Sequence, residues 1–393
     1  MKNFKSKKVG QLTYSFGNYG SMLQCYATQK IFKENGYDIV LVNIADRGLE
    51  RVYYAVKRRV KFFIKLIKNP NKIKFIYGLY NNAKQSTKYK TLSEESLNMM
   101  KSFKKEYISQ VFLNHRKLKK CAKSSEYYFF ISGSDQIWPG SWPILEEDYF
   151  LKFAPKHKRV AYAPSFGVNI IPSYNKKELI KNLQEYNCLS IREKTGEKII
   201  KDLIGKSCDV LNDPVLQINK KYWDELIGLS ESNNEKYICL FFIDKPTENG
   251  KKFIEKLCNI TKLKCICFGY NSFEGTDKVM KSGGPIEFIK YIKNAELVIT
   301  DSFHALLFSI IFEKNFYIIS RNYQHSSSQS SRITDLLECC GLENRFIDIN
   351  IEIDKNNIFS IDFIKSQEFI EKVQKKSQKY IQNIAREYSN GDL

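Results

Sequence analysis

Three short stretches of this chain bring together residues able to hold an anion, move a proton or grip a polar ligand. The first is Phe16-Gly17-Asn18-Tyr19-Gly20-Ser21, where two glycines precede a helical pattern. Glycine lets backbone N–H groups approach an anion closely, and Ser21 is placed to cap the helix. The second is Ser132-Gly133-Ser134-Asp135-Gln136-Ile137-Trp138. A turn that carries Ser134, an ionisable Asp135, the amide of Gln136 and the ring of Trp138 has the mixture that grips a sugar. An Asx turn of purely structural value is the other reading. The third is Thr300-Asp301-Ser302-Phe303-His304, a strand end entering an apolar helix. Imidazole is the side chain best able to give a proton near neutral pH, and the helix N-terminus supplies positive potential beside it. Alone, His304 reads first as a hydrogen-bonded structural residue; Asp301 and Ser302 beside it bring the chemical reading level with that one.

Each of these stretches needs a strand to end and a helix to begin. The pattern provides this: β-rich runs at 9–15, 37–43, 127–132, 159–165, 237–243, 264–268, 297–300 and 315–320 alternate with helical spacing, as in 21–35. Such alternation specifies an α/β fold of two Rossmann-like, doubly wound domains, in which ligands bind at the carboxyl ends of parallel strands. The expected division is an N-terminal domain over 1–190, a C-terminal domain over 191–362, and an amphipathic C-terminal helix over 363–393.

With 393 residues, 43% of them apolar, the chain can bury two cores. Its formal charge of +20 calls for an anionic partner. No secretory h-region opens the sequence and no apolar run is long enough to cross a bilayer, so a cytoplasmic protein is expected. The ten cysteines form no zinc-type pairing, and no His/Asp/Glu spacing suggests a metal. His115 and His157 lie in basic, surface-like text with no chemical role indicated. His325 and Arg321 fall in a loop not far in sequence from Arg332. Between Arg51 and Ser93 there are twelve Lys or Arg and no Asp or Glu. That segment reads either as a solvated helix packed on the protein or as a basic amphipathic helix on an anionic membrane surface. No recognition helix, zinc finger or RNP pattern accompanies the charge, which argues against nucleic acid.

Taken in order, the motifs resemble the polysaccharide pyruvyltransferase family. They are Gly17-Asn18-Tyr19-Gly20-Ser21, Gly133-Ser134-Asp135-Gln136-Ile137-Trp138, Ser165-Phe166-Gly167, Ser190-Ile191-Arg192-Glu193 and Asp213-Pro214, then Gly284-Pro285, Thr300-Asp301-Ser302-Phe303-His304 and Ser331-Arg332. The resemblance spans roughly residues 8 to 345. It implies a fold like that of GT-B glycosyltransferases, and transfer of a pyruvyl group from phosphoenolpyruvate, with no cofactor, onto two hydroxyls of a saccharide acceptor. That acceptor can be carried on a polyprenyl diphosphate. His304 and Asp135 are the implied acid–base pair. Asn18, Tyr19, Ser134, Gln136, Trp138, Arg192, Asp301, Ser302 and Arg332 are the implied substrate contacts. In the better understood members of the family an arginine stands two places before the histidine and grips the donor; here that place is Ser302, as in a Ser-Phe-His branch, and Arg332 or Arg321 is left to supply the cation. A nucleotide-sugar glycosyltransferase on the same architecture is the main alternative, and a non-catalytic carbohydrate-binding protein a further one.

Overall fold

The computed structural model describes residues 7–86, 92–228, 235–269, 278–320, 331–347 and 355–389. Strands β1 (Lys7–Leu12), β2 (Tyr37–Ile44), β3 (Gln110–Leu113), β4 (Phe129–Ser132) and β5 (Arg159–Ala161) form a parallel sheet in the order β3-β2-β1-β4-β5. A short parallel ladder, β6 (Ser190–Ile191) with β7 (Asp209–Val210), continues beyond β5, where the Ala161 N–H donates to Cys188 O at 2.9 Å. The division expected at 190/191 therefore falls inside an extension of the first sheet, and Ile191, Ile199 and Ile200 pack in its core.

The second sheet is also parallel. It contains β8 (Tyr237–Phe242), β9 (Lys264–Gly269), β10 (Lys278–Lys281), β11 (Leu297–Thr300), β12 (Asn315–Ile319) and β13 (Phe346–Ile347), ordered β10-β9-β8-β11-β12-β13. Strands buried on both faces are expected to read as continuous apolar runs, as YICLFF of β8 does, buried at every position. The two Rossmann-like domains are not independent. Helix α1 (Tyr19–Glu34) buries Tyr19, Met22 and Leu23 in an apolar cluster that also holds Trp223, Phe288 and Phe308 of the second domain. Tyr19 donates to Gly283 O at 2.7 Å, and its ring lies 5.6 Å from that of Phe288. The C-terminal helix Ile364–Ser389 returns to the first sheet, where Tyr380 donates to Ala161 O at 2.8 Å. Among the described residues no helix is long and apolar enough to cross a membrane.

Both sheets reverse direction of winding at one place, between β1 and β4 in the first and between β8 and β11 in the second. At such a switch point the loops leave in opposite directions and open a crevice. The two crevices face each other.

Candidate functional site

Loops from the two switch points enclose a cavity of about 440 Å³, lined by Asn18, Ser21, Asp135 and Gln136 from the first domain and by Ile243, Ser302 and His304 from the second. Two helix N-termini point into it. Asn18 is the N-cap of α1, its side chain accepting from the Gly20 N–H at 2.9 Å. Ser302 is the N-cap of helix Phe303–Ile311, accepting from the Ala305 N–H at 3.4 Å. The cap expected of Ser21 is thus made by Asn18, and Ser21 is free to donate to Asp135 Oδ2 at 2.5 Å. Converging helix N-termini make positive potential without a metal ion.

His304 sits where the domains touch. A Cβ built on Gly20 would lie 2.1 Å from His304 Nδ1, so only glycine admits the ring at that turn. On its other side, His304 Nε2 is 3.5 Å from Asp213 Oδ2. Asp213 is fully buried, caps the turn Pro214–Gln217 through the Val215 N–H at 3.0 Å, and lies 3.1 Å from Arg192 Nη2. Burial alone would raise its carboxyl, but Arg192 and His304 outweigh that and hold it down at about 2.

Arg192 is 2% exposed and is held by Ser134, whose Oγ accepts from Nη2 at 2.8 Å, with Asp135 Oδ1 at 3.7 Å. Its Nε and Nη1 have no hydrogen-bond partner among the described residues. A buried guanidinium with two idle donors is a costly arrangement unless an anion completes it. Glu193 does not form a surface pair with Arg192 but accepts from Ser165 Oγ at 3.0 Å; burial raises its carboxyl against the pull of Arg332 and Arg192. The guanidinium carbons of Arg192 and Arg332 lie 5.8 and 5.3 Å from the centre of the Phe303 ring. Arg332 also lines the cavity with His304. Arg321 and His325 lie outside the described residues.

Five expected contacts sit elsewhere. Arg192 does not line this cavity but a neighbouring one of about 300 Å³, with Asp213, Phe303 and Arg332. Tyr19 is spent on the domain contact described above. Asp301 accepts from the N–H groups of Ile243 and Asp244 at 2.7 and 3.0 Å, tying the end of β8 to the end of β11. Ser134 is buried behind Arg192 as a positioning residue. Trp138 is buried in the core, stacked on Phe150 at 5.1 Å; the ring that faces the cavity is Trp142. Asp213, Glu193, Tyr14 and Glu146 were not singled out as site residues. Asp213 carried a signal, an acid immediately before proline, whereas Tyr14 and Glu146 carried none.

A larger cavity of about 620 Å³ opens beside the first and shares Tyr14 and Glu146 with it. His115 lines it and is buried, contrary to its surface-like sequence. Its Nδ1 lies 2.5 Å from Asp46 Oδ2 and its Nε2 3.0 Å from Asp148 Oδ2, with Tyr54 stacked at 3.5 Å. Burial would lower its pKa, but the two carboxylates outweigh burial and raise it. Asp46, Glu50 and His115 place ligand-type atoms within 4.8 Å of one another, a grouping the sequence spacing did not reveal. Both ring nitrogens already face carboxylates, which suits an imidazolium better than a metal ligand.

A family model described as polysaccharide pyruvyl transferase matches residues 18–323 of the chain. No curated protein sequence matches. Among solved structures, a glycosyltransferase from Rickettsia africae superposes with a TM-score of 0.52 at 10% identity, covering 99% of this chain and 100% of that one. A UDP-GlcNAc 2-epimerase from Methanocaldococcus jannaschii, in complex with UDP-GlcNAc and UDP, gives 0.51 at 10% identity, covering 96% and 99%. At such identities the likeness is one of fold, and the fold is GT-B-like.

Proposed function

Because the chain belongs to the polysaccharide pyruvyl transferase family, we propose that it moves a pyruvyl group from phosphoenolpyruvate onto two hydroxyls of a saccharide, giving a cyclic ketal and inorganic phosphate. The observation that carries this reading is the meeting of two helix N-termini around His304, beside the buried Arg192 and the cavity-lining Arg332.

Phosphoenolpyruvate is a small dianion or trianion, and this reading places it across the two helix ends. The arginines then neutralise its phosphate and carboxylate. His304 gives a proton to the enol methylene, and the carbon bearing the phosphate becomes cationic. Asp213, behind the ring, balances the charge of the imidazolium and fixes its orientation. An acceptor hydroxyl adds to that carbon while Asp135 takes its proton. A second hydroxyl of the same sugar then displaces phosphate and closes the ketal, its proton passing to the imidazole of His304. The larger cavity, walled by Tyr14, Tyr54 and Tyr149 and continuous with the first through Tyr14 and Glu146, is the place for the acceptor. That acceptor is a saccharide of a cell-surface polysaccharide or its precursor on polyprenyl diphosphate.

The test is phosphate release from phosphoenolpyruvate, with and without saccharide acceptors, followed by mass analysis of the acceptor. Acceptor-dependent release with gain of one pyruvyl ketal, abolished in His304→Ala, is the expected result. Transfer of a sugar from a nucleotide donor, with phosphoenolpyruvate inert, would replace this reading by the glycosyltransferase one.

A further inference from the structure

We propose that the outward face of helices α2 (Gly48–Ile67) and α3 (Ile73–Ser86) seats the protein on an anionic membrane surface. The polarity of α2 is reversed relative to an ordinary surface helix, which turns its apolar stripe to the core. Here the charges turn inward. Lys57 pairs with Glu147 at 2.7 Å, Arg58 with Glu146 at 2.7 Å, Lys61 with Glu178 at 2.8 Å and Lys65 with Glu178 at 3.2 Å. Glu50, the single acid of α2, also faces in and accepts from the Arg116 N–H at 2.8 Å. Phe62 is buried against Ile76 and Ile144 with Leu66 packed beside it, but most of the apolar residues turn outward. Leu49, Tyr53, Val56, Val60, Phe63 and Ile67 follow one another at alternating spacings of four and three, a single helical stripe, and are 49% to 89% exposed. Ile73 and Tyr77 of α3, 42% and 54% exposed, extend the apolar surface.

A continuous apolar stripe held toward solvent marks a docking surface. Charge identifies the occupant. The cations that remain on the outside include Arg59, Lys68 and Lys74, all exposed, and the segment from Arg51 to Ser93 contains no carboxylate. A second copy seated on the same stripe about a two-fold axis would set these cations against each other. A layer of anionic headgroups pairs them while the acyl boundary receives Tyr53, Phe63 and their neighbours. The inner face of α2, through Arg51, Tyr54 and Ala55, lines the larger cavity. The helix thus stands between the membrane and that cavity. On the reading given under Proposed function, this brings the saccharide end of a lipid-carried acceptor to the site; the docking itself does not depend on that reading.

Flotation of the full chain tests the proposal, using vesicles of phosphatidylcholine alone and of phosphatidylcholine with phosphatidylglycerol. Binding to the mixed vesicles is expected, weaker by roughly tenfold or more in Val60→Asp/Phe63→Asp. Each of Arg59→Gln and Lys68→Gln should weaken it about fivefold. These side chains are exposed, so thermal unfolding without vesicles should be unchanged. Tryptophan at Phe63→Trp should shift its emission to the blue when the mixed vesicles are added. Absence of binding to either vesicle, or binding untouched by the double substitution, overturns the proposal. So does a wild-type dimer in solution that the double substitution dissociates. Phosphate release with a soluble saccharide acceptor reads the proposed reaction separately, so either idea can fail alone.

Discussion

Alanine at Gly20 tests whether His304 stands where proton transfer needs it. The added Cβ would lie 2.1 Å from His304 Nδ1 and 2.2 Å from Cγ, whereas ordinary contact begins at 3.4 Å. The ring or the first turn of α1 must therefore give by about 1.3 Å. Overpacking of this kind costs about 1–3 kcal/mol, and the gain in helix propensity from glycine to alanine returns up to about 1 kcal/mol. Stability should accordingly fall little. Catalysis should fall more, because a misplacement near 1 Å costs about a hundredfold in rate. The assay is acceptor-dependent phosphate release over a range of phosphoenolpyruvate concentrations, beside a thermal melt. The expected result is kcat down about a hundredfold with a melting point lower by a few degrees. Gly36→Ala is the control: its φ of +80° strains alanine but nothing lies near the new Cβ, so stability should drop and the rate should not. A Gly20→Ala protein with the wild-type rate would refute the placement of His304 as the acid.

Three further outcomes follow from the same contacts. The Asp213 carboxyl is lowered from 3.8 to about 2 in the fold, so its contribution is fully present above about pH 4 and is lost as the pH falls toward 2. This is worth about 2 kcal/mol, and Asp213→Asn should flatten that stretch of the stability curve measured by urea unfolding across the range. Arg192→Met leaves the buried Asp213 without its guanidinium; unfolding experiments should show a loss of about 3–5 kcal/mol. Phosphoenolpyruvate affinity should fall in the same variant by about a hundredfold, read by titration well below the melting temperature. Tyr19→Phe removes the hydrogen bond to Gly283 O between the domains and should cost about 1–3 kcal/mol, with the rate at saturating substrates unchanged.

The main strands were legible because a strand buried on both faces leaves a dense apolar run bounded by polar turns. The runs at 37–43, 237–243, 264–268 and 297–300 each met a strand within two residues of its ends. Strands β3, β6, β7 and β13 were not legible. They are two to four residues long and take their conformation from the neighbouring strand rather than from their own pattern. Of the expected site residues, His304, Asp135, Asn18 and Gln136 line the cavity between the domains, and each follows a strand and opens a helix or turn. Trp138 and Tyr19 misled because an aromatic beside a glycine turn reads the same whether it faces a cavity or a core. Asp213 and His304 are brought together only by the packing of one domain on the other, and no spacing in the chain encodes that distance. The basic 51–93 segment was legible only in part. Its charge was plain, but the inward turn of that charge depends on Glu146, Glu147 and Glu178, which are distant in sequence.

On the proposed reading phosphoenolpyruvate occupies the cavity between the two helix N-termini. Calorimetric titration of phosphoenolpyruvate into the wild-type protein, in the presence of a saccharide acceptor and beside a panel of nucleotide sugars, tests it most directly. Saturable phosphoenolpyruvate binding is expected, weakened by both Arg192→Lys and Arg332→Gln and not displaced by a nucleotide sugar. Binding of a nucleotide sugar with no heat from phosphoenolpyruvate would contradict it.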